Sequence, residues 1–139
     1  MKEKRIYLEQ AYRIDQRINC KMEQVSSLHS LATKATSTIT DMPGSPTRNI
    51  HKMEDIIAKI VDLENEINDD IDKLVDLKAE ITTVIKEVDD PELQSLLEQR
   101  YLNFRTWEQI AVDMGYNVRH LYRMHDKALK KVRIPQVVT

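Results

Sequence analysis

The residues with the clearest chemistry lie in a basic stretch near the end of the chain. Between positions 117 and 134, six Arg and Lys side chains accompany a single acidic residue, Asp126. At a helical period, Arg119 and Arg123 lie on the face opposite Leu121. Guanidinium groups pair with the O6 and N7 atoms of guanine, and ammonium groups pair with phosphates. The stretch therefore predicts a helix that contacts duplex DNA.

The side chains of this helix are expected to reach two different parts of the duplex, the bases and the phosphates. Side chains near the start of such a helix reach base edges in the major groove, and the others meet phosphates. The predicted base-contacting residues are Val118, Arg119, Tyr122 and Arg123. The predicted phosphate-contacting residues are Asn117, Lys127, Lys130, Lys131 and Arg133. The alternatives are a solvated helix face and, for the lysines, cations that complement the helix dipole.

Short-range signals divide the last fifty residues into three helices that must position this face. The predicted helices span 91–102, 106–114 and 117–132. Asp90 is placed as an N-cap before Pro91, and Thr106 with Gln109 forms a capping-box pattern. Gly115 can take the left-handed conformation of a tight turn, so the second and third helices form a helix-turn-helix. The predicted core residues of this domain are Leu96, Leu97, Tyr101, Trp107, Ile110, Ala111, Met114, Leu121, Leu129 and Val132.

Five segments of this domain follow one another in a specific register. They are LLEQRYL at 96–102, TWEQIA at 106–111, MG at 114–115, LYR at 121–123 and KALKKV at 127–132. In order and spacing they resemble region 4 of bacterial sigma factors, a DNA-binding helix-turn-helix. With a long helical part ahead of it, the whole chain resembles phage late-gene transcriptional regulators of the ArpU and RinA type. The resemblance implies a regulator of transcription encoded by a phage or prophage.

Heptad patterns of apolar residues fill the first ninety positions. They predict one helix over 3–36 and another over 50–88, separated by a break at 38–48 that contains two prolines and a glycine. The simplest arrangement of two such helices is an antiparallel hairpin. The predicted fold is therefore all-α. A long antiparallel helical hairpin in residues 1–89 is followed by a small three-helix helix-turn-helix domain in residues 90–139.

A charged residue interrupts the heptad pattern of each long helix. We expect Met22 to replace Lys21 in the apolar seam, and Ile71 to replace Asp70. Three isoleucines widen the apolar face of the second helix, namely Ile57, Ile71 and Ile85. We expect a second copy of the hairpin to cover this face, which gives a homo-oligomer with a dimer favoured. The residues assigned to oligomerisation are Ile60, Ile67, Leu74 and Ile81.

Composition and charge exclude several classes of protein. Residues 50–93 carry 5 basic and 14 acidic side chains, whereas residues 94–139 carry 8 basic and 4 acidic ones. No stretch has the ~20 apolar residues of a membrane span, and the first residues lack a secretory pattern. We therefore expect a cytoplasmic protein with no membrane partner. With one cysteine and with His120 and His125 five positions apart, we expect no metal site, no cofactor, no catalytic residue and no enzymatic activity.

Three functions are compatible with a basic helix-turn-helix joined to a helical oligomerisation part. The first is a sequence-specific transcriptional regulator that binds double-stranded DNA as a dimer or higher oligomer. The second is a sigma-like adaptor that contacts RNA polymerase. The third is a DNA-packaging adaptor similar to a small terminase subunit, although in such proteins the DNA-binding part commonly comes first.

Overall fold

Helices make up nearly all of the described chain. The computed structural model describes residues 1–41 and 46–135, with side chains over 1–36 and 50–135. Its elements are α1 (Lys2–Asp41), α2 (Pro46–Lys86), α3 (Pro91–Leu97), a π-helix (Glu98–Leu102), α4 (Trp107–Met114) and α5 (Val118–Lys131). Two long helices pair and short helices follow, so the predicted all-α fold is confirmed. Among the described helices, none combines the length and the apolar character needed to cross a membrane.

The break between the long helices is shorter than the predicted one at 38–48. Helix α1 continues to Asp41 and α2 begins at Pro46, because a proline is tolerated in the first turn of a helix. The centre of the predicted break, residues 42–45, lies outside the described residues. The first predicted short helix, 91–102, is also corrected, since its second half is a π-helix.

The chain divides into two compact units, and the long helices contribute to both. The first unit contains residues 1–14 and 74–139, and the second contains residues 15–73. The first unit thus joins the start of α1 and the end of α2 to all the short helices. The division into domains at residue 90 stays a prediction.

The seam of the second unit contains a buried ion pair. Lys21 Nζ lies 2.7 Å from Asp70 Oδ2, and Asp70 is 5% exposed. The two charged residues that interrupt the heptads therefore meet each other inside the seam, beside Ile18 and Ile67 on the same helices. The expected substitutes were wrong, because Met22 is 55% exposed and Ile71 is 41% exposed. A buried carboxylate needs a charged partner, and Lys21 supplies it.

One hydrophobic core holds the first unit together. Leu8 and Ala11 of α1 are fully buried in the same cluster as Ile81 and Ile85 of α2. The cluster continues into the short helices through Leu93, Leu96, Leu97, Tyr101, Ile110, Leu121, Met124, Ala128, Leu129 and Val132. Trp107, Ala111 and Met114 pack against it while partly exposed, so the predicted core of the C-terminal helices is confirmed. The three short helices share this core with the ends of the hairpin.

Removing one member of the Lys21–Asp70 pair is expected to destabilise the hairpin. Lys21→Met leaves the Asp70 carboxylate buried without its cation, so the free energy of unfolding in urea should fall by about 2–3 kcal/mol. Adding Asp70→Leu should recover most of that loss, because two apolar side chains then fill the seam. Arg13→Met is the matched control. Its ion pair with Glu9 is exposed and 3.8 Å long, so the change should stay below about 1 kcal/mol. A double variant as unstable as Lys21→Met would contradict this account.

Candidate nucleic-acid interface

A tight turn sets the position of α5 relative to α4. Gly115 ends α4 with φ +75°, the left-handed conformation that glycine adopts most easily. Asn117 then caps α5, since its side-chain oxygen accepts a hydrogen bond from the backbone N–H of His120 at 2.7 Å. Between them, the Tyr116 hydroxyl donates to Glu92 Oε1 at 2.6 Å and ties the turn to the start of α3. The predicted helix-turn-helix signals at these positions are confirmed as local structure.

Caps also define the helices that lead to this turn. The Asp90 carboxylate accepts hydrogen bonds from the backbone N–H groups of Glu92 and Leu93. Thr106 and Gln109 form a complete capping box, with each side chain bonded to the backbone of the other. The start of α4 is therefore set by its own sequence, and α5 follows from it through the Gly115 turn.

Helix α5 has one buried face and one exposed basic face. Leu121, Met124, Ala128 and Leu129 are buried in the core of the first unit. The opposite face is exposed along its length and includes Arg119, Tyr122, Arg123, Asp126, Lys127, Lys130 and Lys131. Fourteen residues at 1.5 Å per residue give a helix of about 21 Å. The major groove of duplex DNA is wide enough to admit an α-helix, and phosphates attract a basic face.

The four predicted base-contacting residues all lie in the first half of α5. Arg119 and Arg123 are exposed one turn apart on the same face of the helix. Val118 is half-buried at the first helical position. The Tyr122 ring is 48% exposed and packs edge-on against Trp107, with 5.2 Å between ring centroids. Trp107 thus holds this tyrosine in place. Their contacts with bases stay predictions.

The predicted phosphate-contacting residues have different surroundings. Lys127, Lys130 and Arg133 are exposed at or near the second half of α5. Lys131 Nζ lies 3.0 Å from Asp89 Oδ1, and this hydrogen bond lowers the pKa of the Asp89 carboxyl. Asn117 uses its side-chain oxygen as the helix cap, so its donors for a phosphate are the amide N–H groups. Since Lys131 is engaged by Asp89, the cations best placed for phosphates are Lys127, Lys130 and Arg133. The phosphate contacts of all five residues stay predictions.

A lysine from the start of α1 reaches the end of α5, and sequence reasoning missed it. Lys4 Nζ donates hydrogen bonds to the backbone oxygens of Leu129 at 2.9 Å and Lys130 at 3.4 Å. The last carbonyls of a helix carry partial negative charge, so a cation is favourable there. No sequence signal could identify this contact, because the partners are about 125 positions apart.

A cavity of about 280 Å³ lies beside α5, lined by residues of α1, the π-helix, α4 and α5. Its inner wall contains a buried pair that sequence reasoning also missed, in which the Tyr101 hydroxyl lies 2.5 Å from His125 Nε2. Burial lowers the pKa of His125 to about 4; Asp126 opposes this effect, and Arg5 and Arg100 add to it. Burial also raises the pKa of Tyr101 to about 12. At neutral pH a protonated phenol and a neutral imidazole therefore share this hydrogen bond.

Comparison with known proteins identifies the family of the chain. A family model described as a protein of unknown function, DUF1492, matches residues 31–133, which include most of the chain and all the short helices. The chain therefore belongs to the DUF1492 family. No curated protein matches it. No solved structure matches it either.

The buried His125 is expected to make the protein less stable in mild acid. The unfolded state takes up a proton near pH 6.5, whereas the folded state resists protonation until about pH 4. The stabilising contribution is therefore complete above pH 6.5 and is lost as the pH falls from 6.5 to 4. We expect a loss of up to about 3 kcal/mol over this window, measured by urea unfolding at several pH values. His125→Gln should show a smaller fall, and equal slopes for both proteins would contradict the assignment.

Proposed function

We propose that this member of the DUF1492 family is a sequence-specific DNA-binding protein that regulates transcription. The observation that carries the proposal is the exposed basic face of α5, whose opposite face is buried in the core. A helix held in this way presents a fixed set of side chains to a groove and loses little conformational freedom on binding. The resemblance to region 4 of sigma factors supports transcription as the process. We expect the protein to act in the cytoplasm.

The two groups of cations on α5 have separate tasks in this proposal. Arg119 and Arg123 read bases, because a guanidinium can donate two hydrogen bonds to one guanine. Lys127 and Lys130 meet phosphates, which gives affinity and orientation without sequence preference. The acidic charge of the chain is concentrated in residues 50–93, so its net charge of −2 does not describe the surface that would meet DNA.

Self-association of the hairpin is part of the proposal. Three of the four residues assigned to oligomerisation, Ile60, Ile67 and Ile81, are buried within the chain itself, as is Ile85. The fourth, Leu74, is partly buried against the core of the first unit. A second row on α2 stays exposed and contains Ile50, Ile57, Val61 and Ile71, which are 41–51% exposed. Removing such an apolar row from water by contact with a second copy of the chain is favourable. Two associated copies would bring two basic helices to one duplex. Light scattering tests this point, and the mass of a single 16.3 kDa chain at micromolar concentration would contradict it.

A contact with RNA polymerase is the second candidate function. Val112 of α4 is 85% exposed, beside Gln109 and Asp113 in an open hollow. An apolar side chain so exposed next to a helix-turn-helix is a suitable contact for a protein partner. Pull-down with the polymerase in the absence of DNA distinguishes this function from direct DNA recognition.

Two single substitutions on α5 are expected to affect DNA binding in different ways. Arg123→Ala should cost about 1–3 kcal/mol on the preferred sequence and should relax specificity there, because a base contact is lost. Lys130→Ala should weaken binding equally on all sequences and reduce the salt dependence by roughly one phosphate contact. Fluorescence anisotropy with matched preferred and scrambled duplexes measures both effects.

These two variants serve as controls for each other. Both side chains are exposed on the same helix, so neither substitution disturbs the core. If Arg123→Ala and Lys130→Ala lose affinity equally on both duplexes, the assignment of base-contacting and phosphate-contacting residues is wrong.

A further inference from the structure

An arginine of α1 lies beside the exposed face of α5. Arg5 lines the same cavity as Tyr122, Asp126 and Leu129, which follow one another along α5. Arg100 of the π-helix lines this cavity as well. The cavity thus lies beside α5, and its lining includes two arginines from outside the helix-turn-helix.

The position of Arg5 is fixed by its neighbours on α1. The adjacent Lys4 is bonded to the last carbonyls of α5, and Leu8 is fully buried in the shared core one turn further on. The first turns of α1 therefore hold a constant place against α5. Arg100 is also held, since its guanidinium lies 4.8 Å from the centroid of the Trp107 ring and donates to the backbone oxygen of Arg105.

The Arg5 side chain is exposed and available to a ligand. Within the part of the chain that the structure describes, no carboxylate oxygen lies within 4.0 Å of its guanidinium. Glu9 and Asp126 also line the cavity, but neither forms an ion pair with Arg5.

A helix in the major groove has a phosphate chain on each side of it. The groove is about 12 Å wide, so side chains that flank the inserted helix meet these phosphates. We infer that Arg5 contacts the phosphate backbone of the duplex bound by α5, so that the DNA-binding surface extends onto the first turn of α1. This inference rests on the proposed DNA binding. Under it, residues 90–139 contain only part of the interface.

Binding of the full chain to one arbitrary 30-base-pair duplex over a series of salt concentrations tests this inference. Arg5→Ala should bind roughly three- to tenfold more weakly at moderate salt, and its slope of log affinity against log salt should be less steep by about one. Arg5→Lys should restore most of the slope, because it retains the charge. Arg17→Ala is the matched control, an exposed arginine of the same helix in the other compact unit, and it should bind like the unmodified protein.

The outcomes separate this inference from the function on which it rests. If the unmodified protein binds the duplex and Arg5→Ala matches Arg17→Ala in affinity and slope, the contact by Arg5 is refuted while DNA binding stands. If the unmodified protein shows no affinity even at low salt, both the function and the inference are overturned. A less steep salt dependence for Arg5→Ala, but not for Arg17→Ala, supports both the DNA binding and the contact by Arg5.

Discussion

The C-terminal helices depend on a hydrophobic core that they share with the ends of the hairpin. Leu8 of α1, Ile85 of α2 and Leu121 of α5 are all fully buried in one cluster. Because α5 buries its apolar face there, its basic face must point outward. The first turn of α1 and the last turns of α2 are therefore structural parts of the unit that presents α5. This constraint explains how Lys4 and Arg5 come to lie beside a helix more than a hundred positions later in the sequence.

The same constraint separates the charges of the molecule. The acidic side chains of α2 that lie outside the seam are exposed. The basic side chains of α5 are exposed on a different helix. Among the carboxylates of α2 whose side chains the structure describes, only Asp70 is buried, and it is paired with Lys21. A polyanion would thus be attracted to the surface of α5 and repelled by exposed carboxylates of α2. The net charge of the whole chain does not show this difference between the surfaces of α5 and α2.

Local features of the fold were predictable from sequence, because each is decided by residues within one helical turn. The caps at Asp90, Thr106 and Asn117 and the turn at Gly115 belong to this group. The all-α class and the buried face of α5 followed from apolar periodicity. Contacts between distant positions were not predictable, since no local pattern encodes them. The Lys21–Asp70 and Tyr101–His125 pairs are of this kind, and the first reversed the expected roles of Met22 and Ile71.

The most direct test of the central claim is selection of bound sequences from a random duplex library by the full-length protein at moderate salt. Sequencing of the retained DNA should recover a motif, and two spaced half-sites are expected if the hairpin brings two copies together. Substituting Arg123 should alter that motif at defined positions. Retention of DNA without any motif, or no retention at all, would contradict sequence-specific recognition by α5 and would favour the contact with RNA polymerase.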